Sequence, residues 1–253
     1  NVYSLLGIVA QQRGDYSHAE AMLKFSSQIA EESADFRGRA HTLMVLGRGA
    51  KDNGDYNQAQ TYFEHSLSIY RQISYPWGQM HALRLLGDIV NVQGDIETAL
   101  GYTTESLKLA EQSDEQAAIA RAWHLLGEIY LKQKMYDIAD SYLQQGLPVF
   151  RAMNDYRGTV LILNALARLC SELDDWRSAK TYYQESFRTV ILTKDIPLTL
   201  DTLIEIGEFE AHCQRIERTK SKKLQLTTNR HININLTTTV VLEMARRKLF
   251  KYE

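Results

Sequence analysis

The sequence contains few of the residues on which several common protein classes depend. Two cysteines and three prolines among 253 residues are too few for a disulfide-stapled domain or a collagen-like chain. Cys170 and Cys213 have no paired His or Cys at metal-ligand spacing, and two scattered thiols fit a reducing compartment, so we expect a cytoplasmic protein. No apolar run approaches the roughly 18 residues of a membrane span, and no basic-then-apolar leader is present. A membrane is therefore not expected as a partner.

The common motifs of catalysis and cofactor binding are also missing. The sequence has no Gly-x-x-x-x-Gly-Lys-Ser/Thr loop for phosphate and no Gly-x-Ser-x-Gly nucleophile turn. Its seven histidines include no His-x-x-x-His pair, and the acidic stretch 172–175 lacks the alternating oxygen-ligand spacing of a calcium loop. We therefore expect no catalytic residues, no cofactor and no metal site.

Charge is unevenly divided along the chain. Residues 1–214 contain 19 Lys and Arg against 28 Asp and Glu, which gives −9, whereas residues 215–253 contain 10 against 3, which gives +7. The tail could form a patch for nucleic acid or membrane, but we favour a solvated end, a linker, a capping helix or vector-encoded sequence. Nucleic acid is not expected as a partner, because the acidic body would repel phosphate. Within the tail, residues 240–252 have a helical pattern.

The rest of the sequence is built from a 40-residue repeat. Its first mark is two apolar residues and a glycine, as in Leu85-Leu86-Gly87, and it recurs without insertion or deletion. The last residue of this mark stands at Gly7, Gly47, Gly87, Gly127, Ala167 and Gly207. Seven residues later comes Gly-Asp-Tyr, clearest at 14–16 and 54–56, and then an alanine and a small residue at fixed distances. A period of this length is typical of solenoid proteins.

Each mark of the repeat has a physical reason. Apolar residues at three- and four-residue spacing, as in 40–52 and 57–72, predict amphipathic helices. Between them, glycine permits the left-handed conformation that ends one helix, and aspartate caps the start of the next. The fixed alanines and serines allow helices to approach closely. The sequence therefore predicts helix–turn–helix hairpins and an all-α fold.

The order of these marks resembles the tetratricopeptide repeat. An aromatic residue or leucine follows the alanine at Leu23, Phe63, Leu143 and Tyr183, although Thr103 replaces it in the third copy. The 40-residue form is similar to repeats of kinesin light chains, LGN-type adaptors, Rap-type regulators and the sensor arms of bacterial STAND ATPases and LuxR-type regulators. The resemblance implies a right-handed superhelical solenoid of antiparallel helix pairs, with about five and a half repeats over residues 1–214. Pro148 departs from the pattern and should kink its helix or cost about 3 kcal/mol.

The resemblance also implies a ligand groove along the first helix of each pair. In the family, groove residues lie six and three before the glycine, and one and four after it. The candidates are His41, Met44, Arg48, His81, Arg84, Asp88, Asn91, Arg121, His124, Glu128, Asn164 and Arg168. The four arginines could bind carboxylates, and the two asparagines could grip an extended peptide backbone. Alternatively, Asp88, Glu128 and Glu208 neutralise the arginines within the wall.

These features predict a non-catalytic interaction module. We expect the sensor or adaptor arm of a larger regulatory protein, because the chain begins inside a helix. Its partner would be a protein or peptide with an acidic or extended segment, in another molecule or in a flanking domain. The alternative is an arm that recruits substrate for a catalytic domain outside this sequence.

Overall fold

The computed structural model describes residues 2–225, without the side chains of Gln12 and of residues 217–225. These residues form eleven α-helices and no strand, which confirms the all-α prediction. The helices are α1 (Val2–Gln12), α2 (Tyr16–Glu32), α3 (Phe36–Asp52), α4 (Tyr56–Gln72), α5 (Pro76–Gln93), α6 (Ile96–Gln112), α7 (Gln116–Lys132), α8 (Tyr136–Ala152), α9 (Tyr156–Glu172), α10 (Trp176–Thr193) and α11 (Ile196–Gln225). In this part of the chain, no helix is long and apolar enough to cross a membrane.

The helices form two compact units, which divide between Asn154 and Asp155. In the first unit, α1 to α8 form four pairs of consecutive helices, and each pair packs against the next. The first helices of successive pairs also touch, so α1, α3, α5 and α7 lie side by side in one layer. In the second unit, α9 pairs with α10, and α11 packs against both.

The predicted boundary between the repeats and the basic tail, at 214/215, falls inside α11. The remainder of that tail, including the helix predicted for residues 240–252, lies outside the described residues.

The turns inside the pairs have the predicted geometry. Gly14, Gly54 and Gly94 have φ of 77°, 83° and 92°, the left-handed region that only glycine adopts without strain. The next residue in these turns is an aspartate, and Asp15, Asp55 and Asp95 each accept a hydrogen bond from the third helical residue. Asp175, which follows Asp174, does the same. The fourth turn keeps the geometry without these residues. Lys134 takes the left-handed conformation there, and Met135 begins α8 with no side-chain cap.

The fixed alanines and glycines lie where paired helices meet. The alanines are buried with at most 1% exposed: Ala19, Ala59, Ala99, Ala139 and Ala179. A Cβ added to Gly47 would overlap the ring of Phe63, and one added to Gly127 would overlap Leu143. The glycine of the first mark therefore makes room for the aromatic or leucine side chain of the partner helix. This contact explains why the two marks recur together.

The serines of the repeat connect the two helices of a pair. Ser66 Oγ donates to the carbonyl of Ala40 at 2.8 Å, and Ser106 Oγ donates to that of Met80 at 2.9 Å. Both serines are buried, so these hydrogen bonds satisfy polar groups inside the core.

Pro148 does not interrupt its helix. Helix α8 continues through it to Ala152 and has 17 residues, as α4 and α6 do. The side chain of Pro148 is exposed.

Candidate functional site

A group of basic side chains lies on the layer of first helices in the first unit. His41 and Arg48 are exposed on α3, His81 and Arg84 are half-buried on α5, and Arg121 is half-buried on α7. All five were candidates from sequence. We call the surface formed by His41, Arg48, His81, Arg84 and Arg121 the arginine face.

The charges of this face meet at His81. The pKa of His81 is lowered to about 4, first by burial and then by the charges of Arg84, Arg121 and Arg48, in that order. These arginines come from three successive repeats. The structure therefore brings together side chains that lie 36 and 37 residues apart in the sequence.

A second histidine shows the same environment. Burial lowers the pKa of His41, and the nearby charges of Arg48 and Arg37 add to the effect. Burial also lowers the pKa of Arg48, although Asp52 and Tyr70 act in the opposite direction. His41 and Arg48 reach solvent while protein surrounds much of each group. Both imidazoles are therefore neutral near neutral pH, and the positive charge is on the arginines.

Two acidic candidates have partners within the layer. Asp88 of α5 forms an ion pair with Lys51 of α3, and both side chains are less than one-third exposed. Glu128 lies one turn from His124 on α7, with 3.7 Å between His124 Nε2 and Glu128 Oε1. The Lys51–Asp88 ion pair holds one carboxylate within the layer beside the arginines, whereas the contact between His124 and Glu128 is an ion pair only when His124 is protonated.

Two other candidates in the first unit are buried. Met44 is 4% exposed and packs in the core with Phe63 and Leu86. Asn91 is 5% exposed, and its backbone carbonyl accepts a hydrogen bond from Lys132 Nζ at 2.9 Å. Neither side chain therefore offers a surface to a ligand.

The candidates of the second unit serve contacts within it. Asn164 is 3% exposed, donates to Thr202 Oγ1 at 3.1 Å and accepts from Ser186. Its amide thus links α9 to α10 and α11. Arg168 Nε lies 3.6 Å from Glu205 Oε2, a carboxylate one turn before the predicted Glu208. Arg168 is therefore paired with an acidic residue of its own unit, as in the alternative interpretation of the arginines.

The structure also contains a pocket that sequence reasoning missed. It has a volume of about 700 Å³ and is bounded by parts of α1 to α5. Its residues are Ser4, Ser26, Ile29, Ala30, Ser33, Asp35, Arg37, Gly38, His41, Thr42, Tyr70, Tyr75 and Trp77. The sequence feature that could have revealed this pocket is Tyr75-Pro76-Trp77. Tyr75 directly precedes the first helix of its pair, and the neighbouring repeats have an acidic residue at this position, Asp35 and Glu115.

Aromatic rings connect this pocket to the arginine face. Ring centroids are 5.6 Å apart for Tyr70 and Tyr75, 6.2 Å for Tyr75 and Trp77, and 4.2 Å for Trp77 and His81. Arg37 lies 4.5 Å over the Tyr75 ring and donates to its hydroxyl at 2.9 Å. The Tyr75 ring is thus held in place at the wall of the pocket.

Within residues 2–225, no three His, Cys, Asp or Glu side chains come together in a group that could hold a metal ion.

Comparison with known families identifies the repeat. The sequence profile described as tetratricopeptide repeat matches the chain at residues 1–72, 79–152 and 119–190. None of the curated proteins compared with the chain matches it significantly.

Several solved structures are similar to most of the chain. BtubC (BKLC) from P. vanneervenii is 16% identical with a TM-score of 0.64, over 88% of this chain and 97% of that one. A Rap protein complexed with competence and sporulation factor is 15% identical with a TM-score of 0.68, over 89% and 69%. A STAND protein with a tetratricopeptide repeat sensor from Pyrococcus horikoshii is 20% identical with a TM-score of 0.64, over 83% and 32%. At these identities the likeness establishes the fold.

Proposed function

Because the chain belongs to the tetratricopeptide repeat family, whose fold is typical of protein–protein interaction modules, we propose that it binds an extended, acidic protein segment on its arginine face. The segment would lie across α3, α5 and α7, in the groove that the family forms along its first helices.

The convergence of Arg48, Arg84 and Arg121 on His81 supports this proposal most strongly. A ligand carboxylate placed beside these three guanidinium groups would be attracted by each of them. Guanidinium groups bind carboxylates through two parallel hydrogen bonds, which makes arginine better suited to this task than lysine. The neutral imidazoles of His41 and His81 can donate one further hydrogen bond each.

Similarity to solved structures supports the type of partner. The Rap protein of similar fold was solved with competence and sporulation factor bound, and the STAND protein carries its repeats as a sensor. This chain spans about a third of that STAND protein's length. By analogy of fold, the chain would act as the cytoplasmic sensor or adaptor arm of a regulatory protein, without catalysis of its own.

Selection from a random peptide display library tests the proposal without knowledge of the natural partner. Peptides retained by the wild-type chain should be enriched in Asp and Glu, and the double variant Arg84→Ala/Arg121→Ala should lose this enrichment. Arg177→Ala is the matched control, because Arg177 is an exposed arginine of α10 in the second unit. Selection of peptides without acidic enrichment would contradict the proposal, and so would equal enrichment on the double variant.

A further inference from the structure

The residue that precedes α5 differs from the repeat pattern, and the helix lacks a capping hydrogen bond there. Asp35 and Asp155 cap α3 and α9 by accepting a hydrogen bond from the third helical N–H, at 2.8 Å in both cases. Tyr75 holds the corresponding position of α5 and makes no such bond. Glu115 of α7 makes none either, so α5 is set apart by its aromatic residue at this position. An aromatic residue is a poor N-cap, so α5 gives up a stabilising contact there. Departures of this kind are expected where a residue has a role other than stability.

The aromatic residues brought in by this departure form a wall that is already ordered. Arg37 fixes the Tyr75 ring from one side through its hydroxyl and its face, and Tyr70 lies behind it with 1% exposed. Trp77 follows at the second position of α5 and is 42% exposed. A ligand ring placed in the pocket would therefore meet a Tyr75 ring that is already held in place, so little ordering of that side chain would oppose binding.

The pocket and the arginine face form one continuous surface. His41 borders the pocket and lies close to Arg48. The Trp77 ring contacts the His81 ring at a tilt of 50°, and the charges of the three arginines act on His81. A peptide whose acidic residues face the arginines would thus extend its next residues into the pocket. A volume of about 700 Å³ is in the range of small-molecule sites and leaves room for a side chain with its neighbours along the peptide.

From this geometry we infer that the pocket is an anchor site for an aromatic side chain of the same acidic segment. The inference rests on the proposed function and adds a second determinant of peptide specificity, an aromatic side chain beside the acidic residues. Aromatic pairs gain more than the burial of apolar area alone, which favours an aromatic side chain over an aliphatic one against this wall. The carboxylates of the segment would set its position along the helices, and the aromatic side chain would hold one end of it.

Synthetic nonapeptides of alternating Glu and Ser test this inference. The Phe peptides carry one phenylalanine at either end or in the middle, and the Ala peptides carry alanine at the same place. The best Phe peptide should bind the wild-type chain about 10- to 100-fold more tightly than its Ala counterpart, as measured by fluorescence anisotropy. In Trp77→Ala this preference should fall to about threefold or less, while the affinity for the Ala peptide stays the same.

Two further variants separate binding from folding. Tyr156→Ala is the control, because Tyr156 begins α9 and is 44% exposed, close to the value for Trp77. It should keep the preference for phenylalanine. Tyr75→Asn introduces a good neutral cap at α5 while it removes the ring, so it should fold and yet lose the preference. Equal binding of Phe and Ala peptides to the wild type would overturn the inference, as would a preference that survives in both Trp77→Ala and Tyr75→Asn.

A third set of peptides, with Gln in place of every Glu, distinguishes this inference from the proposed function. If Gln and Glu peptides bind equally well and Trp77 still determines the preference for phenylalanine, the anchor site stands and the acidic segment is wrong. If Glu peptides bind more tightly than Gln peptides but show no preference for phenylalanine, the arginine face stands and the anchor site is wrong. Absence of binding by all the peptides would overturn both.

Discussion

Replacing His81 with glutamine is expected to remove part of the chain's sensitivity to acid. The pKa of His81 is about 4 in the folded chain, because burial and the charges of Arg84, Arg121 and Arg48 oppose its protonation. In an unfolded chain, a histidine has a pKa of about 6.5. Between these two values the unfolded state binds more protons than the folded state, so the free energy of unfolding falls as the pH falls. Glutamine does not titrate and removes this contribution.

The expected size follows from the two pKa values. The stability that His81 contributes is fully present above about pH 6.5 and is lost as the pH falls toward about 4. Between about pH 7 and about pH 5, linkage gives a loss of about 2 kcal/mol for a single group with these values. The wild-type chain should therefore lose about 2 kcal/mol more than His81→Gln over this interval.

Urea unfolding followed by circular dichroism at the two pH values measures this difference. Carboxylates and the other histidines contribute equally to both chains and cancel in the comparison. His18→Gln is the control for the substitution itself, since His18 is exposed on α2. An equal loss in wild type and His81→Gln would show that neither burial nor the arginines lower the pKa of this imidazole.

Three substitutions test the repeat architecture. Ala59→Leu should lower the free energy of unfolding by about 1–3 kcal/mol in a urea titration, because Ala59 has no exposed surface where α3 and α4 meet. An unchanged midpoint would mean that the assignment of the packing positions is wrong. Gly101→Ala should raise the free energy of unfolding by about 0.5–1 kcal/mol, since nothing lies within 4 Å of its added Cβ on α6; a loss of stability would contradict the open position. Met135→Asp should add about 0.5–2 kcal/mol in the same assay, because Met135 already has the backbone geometry of the capping aspartates. No gain would argue against the capping role given to those aspartates.

The fold was predictable because the residues that determine the packing of a helix pair recur along the sequence. The pairing of Gly47 with Phe63 depends on residues of the same repeat, and so does the turn at Gly54 and Asp55. Local marks of this kind determine each helix pair without knowledge of the neighbouring pairs. The period of 40 residues then fixes how often the pair is copied.

The site was only partly predictable, because the repeat position of a residue does not determine whether it is exposed. Met44 and Arg84 hold the same place, three residues before the glycine of their repeats. Methionine packs down into the core, whereas the longer, charged arginine stays half-exposed. The aromatic pocket was missed because it combines residues of five helices, and only the break of pattern at Tyr75 marks it in the sequence.

A double-mutant cycle between peptide charge and protein charge tests the central claim most directly. The affinities of the best Phe peptide and of its Gln counterpart are measured at low salt, for the wild-type chain and for Arg84→Ala/Arg121→Ala. If the two arginines bind the carboxylates of the segment, the change from Glu to Gln should weaken binding to the wild type about tenfold or more, and to the double variant about threefold or less. The same loss in both chains would contradict the claim that the arginine face recognises the acidic residues.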